Sequence, residues 1–158
     1  MTKDTARTGN HEKEKGYEHV VVFRLDKQEY AINIGNVREI SRIDGITRLP
    51  MAPYFIDGMV DLRGEIIPIM NLRKVFGMQS IYTYSDEKIL VVEYGNRKIG
   101  MLTDHVSEVT KIPYNNLEDA PEIYSEGKKN NYIYKIAKLN NNMRTVMILD
   151  IPVLLEFM

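Results

Sequence analysis

Residues 20–40 (VVVFRLDKQEYAINIGNVREI) repeat as residues 89–109 (ILVVEYGNRKIGMLTDHVSEV), at an offset of 69 positions and without a gap. The aligned runs Val20–Leu25 and Ile89–Tyr94 are rich in β-branched residues, and a polar turn follows each of them. Such a repeat limits the possible architectures before any single residue is interpreted, because both copies are expected to form the same unit. We therefore predict two copies of a small β unit. Chance similarity between two β-hairpins, which share the same alternation, is the competing interpretation.

The two copies also end alike, now at an offset of 79. Ile69–Leu72 (IMNL) aligns with Ile148–Ile151 (ILDI), and the offset grows because the second copy is longer in the polar segment 115–131. Asn71 and Asp150 are residue types that cap helix N-termini, and apolar residues at helical spacing follow both. A short helix is therefore predicted after each, the second one over residues 151–158.

The pattern of short apolar runs predicts a mainly β fold of two strongly bent five-stranded barrels that pack together, with a groove where they meet. We place the first barrel at about residues 19–80 and the second at about 86–150, and we allow for exchange of strands between them. A short helix is expected at Gly35–Arg38. Residues 1–18 contain few large apolar side chains and are expected to form a flexible tail. Runs typical of strands are Val20–Leu25, Tyr30–Ile34, Gly58–Leu62, Ile66–Met70, Ile89–Tyr94, Lys98–Leu102, Ile133–Leu139 and Val146–Leu149.

Composition excludes several functional classes. The 158 residues include 21 Lys and Arg against 22 Asp and Glu, so the formal charge of −1 provides no overall field that would attract nucleic acid or an anionic membrane. The sequence has no cysteine, which excludes disulfides and thiol catalysis. It also has no apolar run long enough for a membrane span and no signal-peptide pattern. A cytoplasmic protein is therefore expected.

Residues 55–77 (FIDGMVDLRGEIIPIMNLRKVFG) resemble the signature of the CheW family, the coupling proteins of bacterial chemotaxis, which typically reads FIxGxxNLRGxI[IV]P[IV]x[ND]LRxxF. The upstream stretch 29–40 (EYAINIGNVREI) is similar to the family pattern EYx[IL]xIxxVxEI. The resemblance covers residues 19–157. It departs at Asp61, where the family usually has Asn, and at 136–138 (IAK), where a glycine-containing strand is expected.

The resemblance implies two SH3-like barrels and a non-enzymatic adaptor without a cofactor. The implied partners are the regulatory domain of the histidine kinase CheA and the cytoplasmic tip of methyl-accepting chemoreceptors. Neither nucleic acid binding nor membrane insertion is implied. The protein would be cytoplasmic and recruited to receptor arrays at the inner face of the membrane.

Two charged residues are the first candidates for receptor binding. The resemblance implies that Glu39 and Arg63 lie close together beside the receptor-binding surface. An arginine and a carboxylate can form a bidentate pair that holds two segments in register. We therefore expect the two side chains to pair and to shape the groove. Two unrelated solvated charges are the alternative.

Apolar candidates for the floor of that groove are Val37, Ile34 and Ile66, since a receptor helix would dock an apolar stripe there. Burial of each side chain in the core is the alternative. For the kinase contact the candidates are Asp57 and Gly58, although Gly58 could instead satisfy a backbone angle.

Catalytic and metal sites are not expected. His11, His19 and His105 have no metal-ligand spacing. Asp57 and Asp61 are four residues apart in a predicted strand without a nucleophile, and we interpret them as surface charges. Ten tyrosines leave one alternative function open, a small-barrel protein that binds nucleic acid by stacking bases. Scattered tyrosines and the balanced charge argue against it.

Overall fold

The computed structural model of the protein describes residues 16–79, 88–125, 128–130 and 132–156. Short 3-10 turns span Ile34–Asn36 and Tyr114–Asn116, and two short helices follow the strands that end each half of the chain: α1 (Leu72–Val75) and α2 (Ile151–Leu155). The strands in these residues are β1 (Tyr17–Leu25), β2 (Gln28–Asn33), β3 (Val37–Arg42), β4 (Ile56–Leu62), β5 (Glu65–Asn71), β6 (Lys88–Tyr94), β7 (Arg97–Thr103), β8 (His105–Pro113), β9 (Leu117–Asp119), β10 (Ile123–Ser125), β11 (Lys128–Asn130), β12 (Ile133–Leu139) and β13 (Arg144–Leu149).

The larger strands form two sheets of the same design. Sheet 1 has the order β8-β1-β2-β13-β12-β9 and sheet 2 the order β3-β6-β7-β5-β4. Under the sequence repeat the first five strands of sheet 1 correspond one by one to those of sheet 2. Each sheet contains one parallel pair, β2 with β13 and β5 with β7, at equivalent places. The two sheets are therefore related by an internal pseudo-twofold symmetry, and β9 is an addition to sheet 1.

Neither sheet is built from one half of the chain. We call β1–β5 with α1 the first half and β6–β13 with α2 the second half. The hairpin β1–β2 of the first half lies in sheet 1 with strands of the second half, and the hairpin β6–β7 lies in sheet 2 with strands of the first half. The two halves thus exchange hairpins.

The short links that follow the two hairpins explain this exchange. In a sheet made from the first half alone, β3 would lie beside β1 and run parallel to β2. Parallel strands need a crossover of about a dozen residues, but only Ile34–Asn36 connect β2 to β3. In the second half, Asp104 alone connects β7 to β8. Each hairpin must therefore join the sheet formed by the other half.

Three apolar clusters hold the described residues together. Alternation along β1 directs Val20 and Val22 into a cluster within sheet 1, and Val21 and Phe23 into a large cluster between the two sheets. A third cluster, with Ile69 among its members, lies within sheet 2. Each large apolar side chain that is fully buried contributes about 1.5–3 kcal/mol. The cluster between the sheets is the largest, so the two barrels share most of their core.

Several boundaries differ from the prediction. Strand β1 begins at Tyr17, inside the predicted tail, because it pairs with β8 as far as Pro113 and the Lys111 ammonium lies 4.9 Å from the Tyr17 ring centroid. The short helix predicted at Gly35–Arg38 is a 3-10 turn at Ile34–Asn36, and β3 follows it at once. Helix α2 ends at Leu155, and residues 157–158 lie outside the described residues.

Candidate docking site

The turn between β4 and β5 presents Arg63 to solvent. Arg63 has a φ of 53° and Gly64 a φ of 85°, the two positive values that a two-residue type I′ hairpin requires. The backbone N–H of Gly64 donates a hydrogen bond of 2.8 Å to Oδ1 of Asp61. An asparagine side chain has an equivalent oxygen, so the departure at Asp61 preserves the turn.

Glu39 reaches this turn because of a β-bulge in β3. Between Val37 and Glu39 the register of β3 against β6 shifts, so that Val37 lies opposite Val92 and Glu39 opposite Val91. The bulge therefore places Val37 and Glu39 on different faces of the sheet. Glu39 accepts a hydrogen bond from the Arg63 guanidinium, and their side chains are 27% and 78% exposed. The ion pair expected from the sequence is present, and it ties together β3 and β4–β5, which lie at opposite ends of the strand order in sheet 2.

The face of β3 opposite Glu39, which is turned toward sheet 1, carries apolar side chains. Ile34 and Val37 are half-buried and pack against the cluster between the sheets. Ile40 lies opposite Leu90, a member of that cluster, and is 44% exposed. Sequence reasoning missed Ile40 as a candidate. The sequence did contain a signal for the exposure of Ile40, because two charged residues, Arg38 and Arg42, flank it at alternate positions, and both are exposed.

Ile66 belongs to the same hairpin as Arg63. It lies opposite Asp61 in the β4–β5 ladder and is 55% exposed, which is unusual for a large aliphatic side chain in a strand. Its neighbour Ile67 is buried in the cluster within sheet 2. Core burial therefore accounts for Ile67 but not for Ile66. The structure thus brings Glu39 and Arg63 into contact, with Ile66 on the Arg63 hairpin, whereas Ile34 and Val37 are partly committed to packing between the sheets.

Asp57 is not a surface charge, contrary to the sequence interpretation. A bulge at Ile56–Gly58 turns its side chain inward, where it is 5% exposed. One carboxylate oxygen accepts a hydrogen bond of 2.8 Å from the Lys74 ammonium, and the other accepts one of 2.9 Å from the Asn71 amide. Asp57 therefore fastens β4 to α1. A cavity of about 280 Å³ lies beside it, lined by Ile46, Arg48, Leu49, Ile56, Asp57 and Lys74.

Gly58 has a structural reason to be glycine. Its φ is +153°, and a Cβ at this position would lie 2.3 Å from the carbonyl oxygen of Thr47. Thr47 approaches so closely because its backbone forms a two-hydrogen-bond bridge with Met59. Gly58 therefore allows the segment before β4 to cross over the bulge.

Other kinds of site were sought in the part of the chain that the structure describes. It contains no group of three or more His, Asp or Glu side chains arranged to hold a metal ion. Its helices are also too short and insufficiently apolar to cross a membrane.

Comparison with known proteins identifies the family. The model of the CheW-like domain matches residues 19–157. The chain belongs to the CheW family. Chemotaxis protein CheW of Helicobacter pylori is 33% identical over 125 residues, which are 79% of this chain and 74% of that protein. Chemotaxis protein CheW of Klebsiella aerogenes is 32% identical over 136 residues, 86% of this chain and 80% of that protein.

The crystal structure of the scaffolding protein TtCheW from Thermoanaerobacter tengcongensis superimposes with a TM-score of 0.74 at 31% identity, covering 85% of this chain and 89% of that one. The predicted mainly β fold of two SH3-like subdomains is therefore confirmed. CheW relatives are named chemotaxis or scaffolding proteins, so the chain is placed among chemotaxis scaffold proteins.

Proposed function

We propose that this CheW-family chain is a non-enzymatic adaptor that couples the cytoplasmic tip of methyl-accepting chemoreceptors to the regulatory domain of the histidine kinase CheA. The observation that carries the proposal is the family match over residues 19–157, which includes the Arg63 turn and β3. The proposed place of work is the receptor array at the inner face of the membrane. The nucleic acid alternative has no comparable support among the relatives.

The receptor would dock on the surface made by Glu39, Arg63, Ile40 and Ile66. Ile40 shares β3 with Glu39, and Ile66 shares the β4–β5 hairpin with Arg63; both isoleucines are exposed. Exposed aliphatic and charged side chains on the same two segments fit a helix that carries an apolar stripe with polar flanks. The Glu39–Arg63 pair is largely exposed, and such a pair contributes only about 0–1 kcal/mol to folding. A role in docking explains better than folding stability why the family signature includes this arginine.

Charge reversal at the turn tests the proposal. We expect Arg63→Glu to reduce the affinity for a receptor-tip fragment at least tenfold, since it places two carboxylates side by side at the docking surface. The control is Arg97→Glu, which reverses another exposed arginine, at the start of β7. Both variants should stay folded, with unfolding midpoints within about 4 °C of the parent's. Binding is measured by isothermal titration calorimetry, separately for the receptor fragment and for the CheA regulatory domain.

Undiminished receptor binding by a folded Arg63→Glu variant would remove Arg63 from the site. The adaptor proposal itself fails if the parent chain binds neither the receptor fragment nor the CheA regulatory domain.

A further inference from the structure

The two halves of the chain are joined by ion pairs as well as by apolar packing. In the described residues, four ion pairs connect a side chain of the first half to one of the second. Three of them are Glu29–Arg144 (2.6 Å), Glu65–Lys98 (2.9 Å) and Arg38–Glu93 (3.0 Å). The fourth is Arg73–Asp104. Since each sheet mixes strands of both halves, these pairs lie where the halves recognise each other.

Two of these pairs occupy the same place in the two sheets but with opposite polarity. Glu29 in β2 and Lys98 in β7 are equivalent in the repeat at the offset of 69, and Glu65 in β5 and Arg144 in β13 are equivalent at the offset of 79. Both pairs bridge the parallel strand pair of their sheet. In sheet 1 the hairpin supplies the acid, and in sheet 2 the hairpin supplies the base.

This reversal matters because the pseudo-twofold symmetry permits a competing assembly. Two first halves from different copies of the chain have the strands needed to build the same pair of sheets. Such an assembly keeps the three-residue link between β2 and β3, so the chain connections do not prevent it. Two second halves could combine in the same way. An internal repeat therefore carries a risk of pairing between like halves of different molecules.

The charges oppose this competing assembly. Between two first halves, Glu29 would face Glu65, and Arg38 would face Arg24, which is equivalent to Glu93. Between two second halves, Lys98 would face Arg144. Arg73–Asp104 would also be lost, since Gly35 is equivalent to Asp104 and Pro152 to Arg73. Each of these four ion pairs thus becomes a like-charge contact or disappears.

We propose that the charges of Glu29, Glu65, Lys98 and Arg144 favour pairing between the two halves of one chain. The same charges would repel each other if a half paired with the like half of a second copy. The side chains of these residues are 21–53% exposed and thus partly shielded from solvent. Water and salt therefore screen their interactions less than those of fully exposed charges, so the charges can influence which halves assemble. Without these charges, like halves of different chains would be free to pair, which gives dimers or longer oligomers. The inference concerns assembly of the chain itself and does not depend on the proposed adaptor function.

The test exchanges the charges of the two hairpins in the full-length chain. In the double variant Glu29→Lys/Lys98→Glu, both contacts within one chain become repulsive, while contacts between like halves become attractive. Net charge is unchanged. We expect the association constant measured by sedimentation velocity at low ionic strength to rise about tenfold, since cross-strand charge pairs each change an equilibrium by a few-fold. The unfolding midpoint should fall by about 5 °C.

The matched control is Glu29→Gln/Lys98→Gln, which removes the same ion pairs without creating attraction between like halves. A restoring variant adds Glu65→Lys and Arg144→Glu to the charge exchange, together with Glu108→Lys because Glu108 also pairs with Arg144. We expect both to associate no more than the parent chain. Salt at about 1 M, where the Debye length is about 3 Å, should suppress the association of the charge-exchange variant.

Two results would overturn the proposal: association of the charge-exchange variant no stronger than that of the glutamine control, or association of the restoring variant as strong as that of the charge-exchange variant. Far-UV circular dichroism establishes folding. If the charge-exchange variant does not fold, Glu29→Lys and Lys98→Glu are measured singly against the same criteria.

Discussion

The bulges in β4 and β12 are equivalent because they lie opposite equivalent residues, Ile69–Met70 of β5 and Ile148–Leu149 of β13, yet one contains Gly58 and the other Lys135. Both shift the register against the next strand, between Ile56 and Gly58 in one case and between Ile133 and Lys135 in the other. Gly58 has a positive φ and lies under the Thr47 carbonyl, whereas Lys135 has no positive φ, and its side chain extends to Asp119. The repeat thus conserves the bulge but not the packing over it.

What covers each bulge explains the difference. In the first half, the segment before β4 pairs with the edge of this strand through the isolated bridge of Thr47 with Met59, and Ile46 also lies against Gly58. In the second half, β9 pairs with β12 in regular register from Lys135 to Ala137. A paired strand leaves room for a side chain, and a crossing segment does not. A glycine is therefore unnecessary at Lys135, the position in β12 that corresponds to Gly58.

Substitution at the bulges should give the largest contrast. Gly58→Ala forces a Cβ against the Thr47 backbone, and we expect a loss of about 3 kcal/mol in the free energy of unfolding. Lys135→Ala should leave it nearly unchanged, because the ion pair with Asp119 is at the surface. Urea denaturation of both variants measures the contrast. Equal losses would show that the two bulges are packed alike.

The charged ends of the two barrels provide a second contrast. Arg144 donates to Glu29 at 2.6 Å and also to Glu108, which is equivalent to Glu39, and these hydrogen bonds raise the pKa of the arginine. Arg63, which pairs with Glu39, is far more exposed than Arg144. The same acidic position is thus paired with a partly buried arginine in one barrel and with an exposed arginine in the other.

Removal of each arginine should sharpen this contrast. Arg144→Met leaves two partly buried carboxylates facing each other, and we expect a loss of about 1–2 kcal/mol in the free energy of unfolding. Arg63→Met should cost about 0–1 kcal/mol. Thermal and urea unfolding at neutral pH measure both. A larger loss for Arg63→Met would mean that the exposed pair stabilises the fold and would weaken its assignment to docking.

The helix caps give the smallest expected effect. Asn71 caps α1 and the equivalent Asp150 caps α2, each through a backbone N–H three residues later. Burial raises the pKa of Asp150, despite the hydrogen bond from Val153 that lowers it. The charged form of Asp150 is therefore disfavoured in the folded protein, and stability falls as the pH rises through this raised pKa.

Asp150→Asn should accordingly raise the unfolding temperature by about 1–2 °C at neutral pH, because asparagine caps equally well without the buried charge. The gain should vanish below the ordinary pKa of aspartate, near 3.9, where Asp150 is neutral in both states. Calorimetry across this pH range measures the effect. A gain that persists at low pH would show that the carboxylate charge is not its cause.

The sequence predicts some of these features and not others, for physical reasons. Runs such as Val20–Leu25 were recognised because their side chains are buried on both faces. Strands β3 and β8 were missed because exposed polar residues such as Arg38 and Ser107 interrupt their apolar pattern. The repeat revealed two equivalent units, but a repeat does not specify which unit receives which hairpin. The short links after β2 and β7 assign each hairpin to the sheet of the other half, but only when it is known which strands pair in parallel.

Among the candidate residues, pairing of Glu39 with Arg63 was expected from family resemblance and is present in the structure. The position of Asp57 was misjudged, because it was grouped with Asp61 in one regular strand, whereas a bulge at Ile56–Gly58 turns its side chain inward. Exposure of Ile40 was overlooked, since an apolar residue in a strand is usually assigned to the core. The receptor and kinase roles of all these residues stay predictions.

The exchange of hairpins has a consequence for synthesis on the ribosome. When β1–β5 have emerged, the nascent chain holds neither partner of β1–β2, because β8 and β13 have yet to be translated. At about 5–20 residues per second, the unmatched strands wait for several seconds. Unpaired strand edges are prone to aggregate during that interval, so chaperone binding to the nascent chain would then affect how much folded protein a cell obtains.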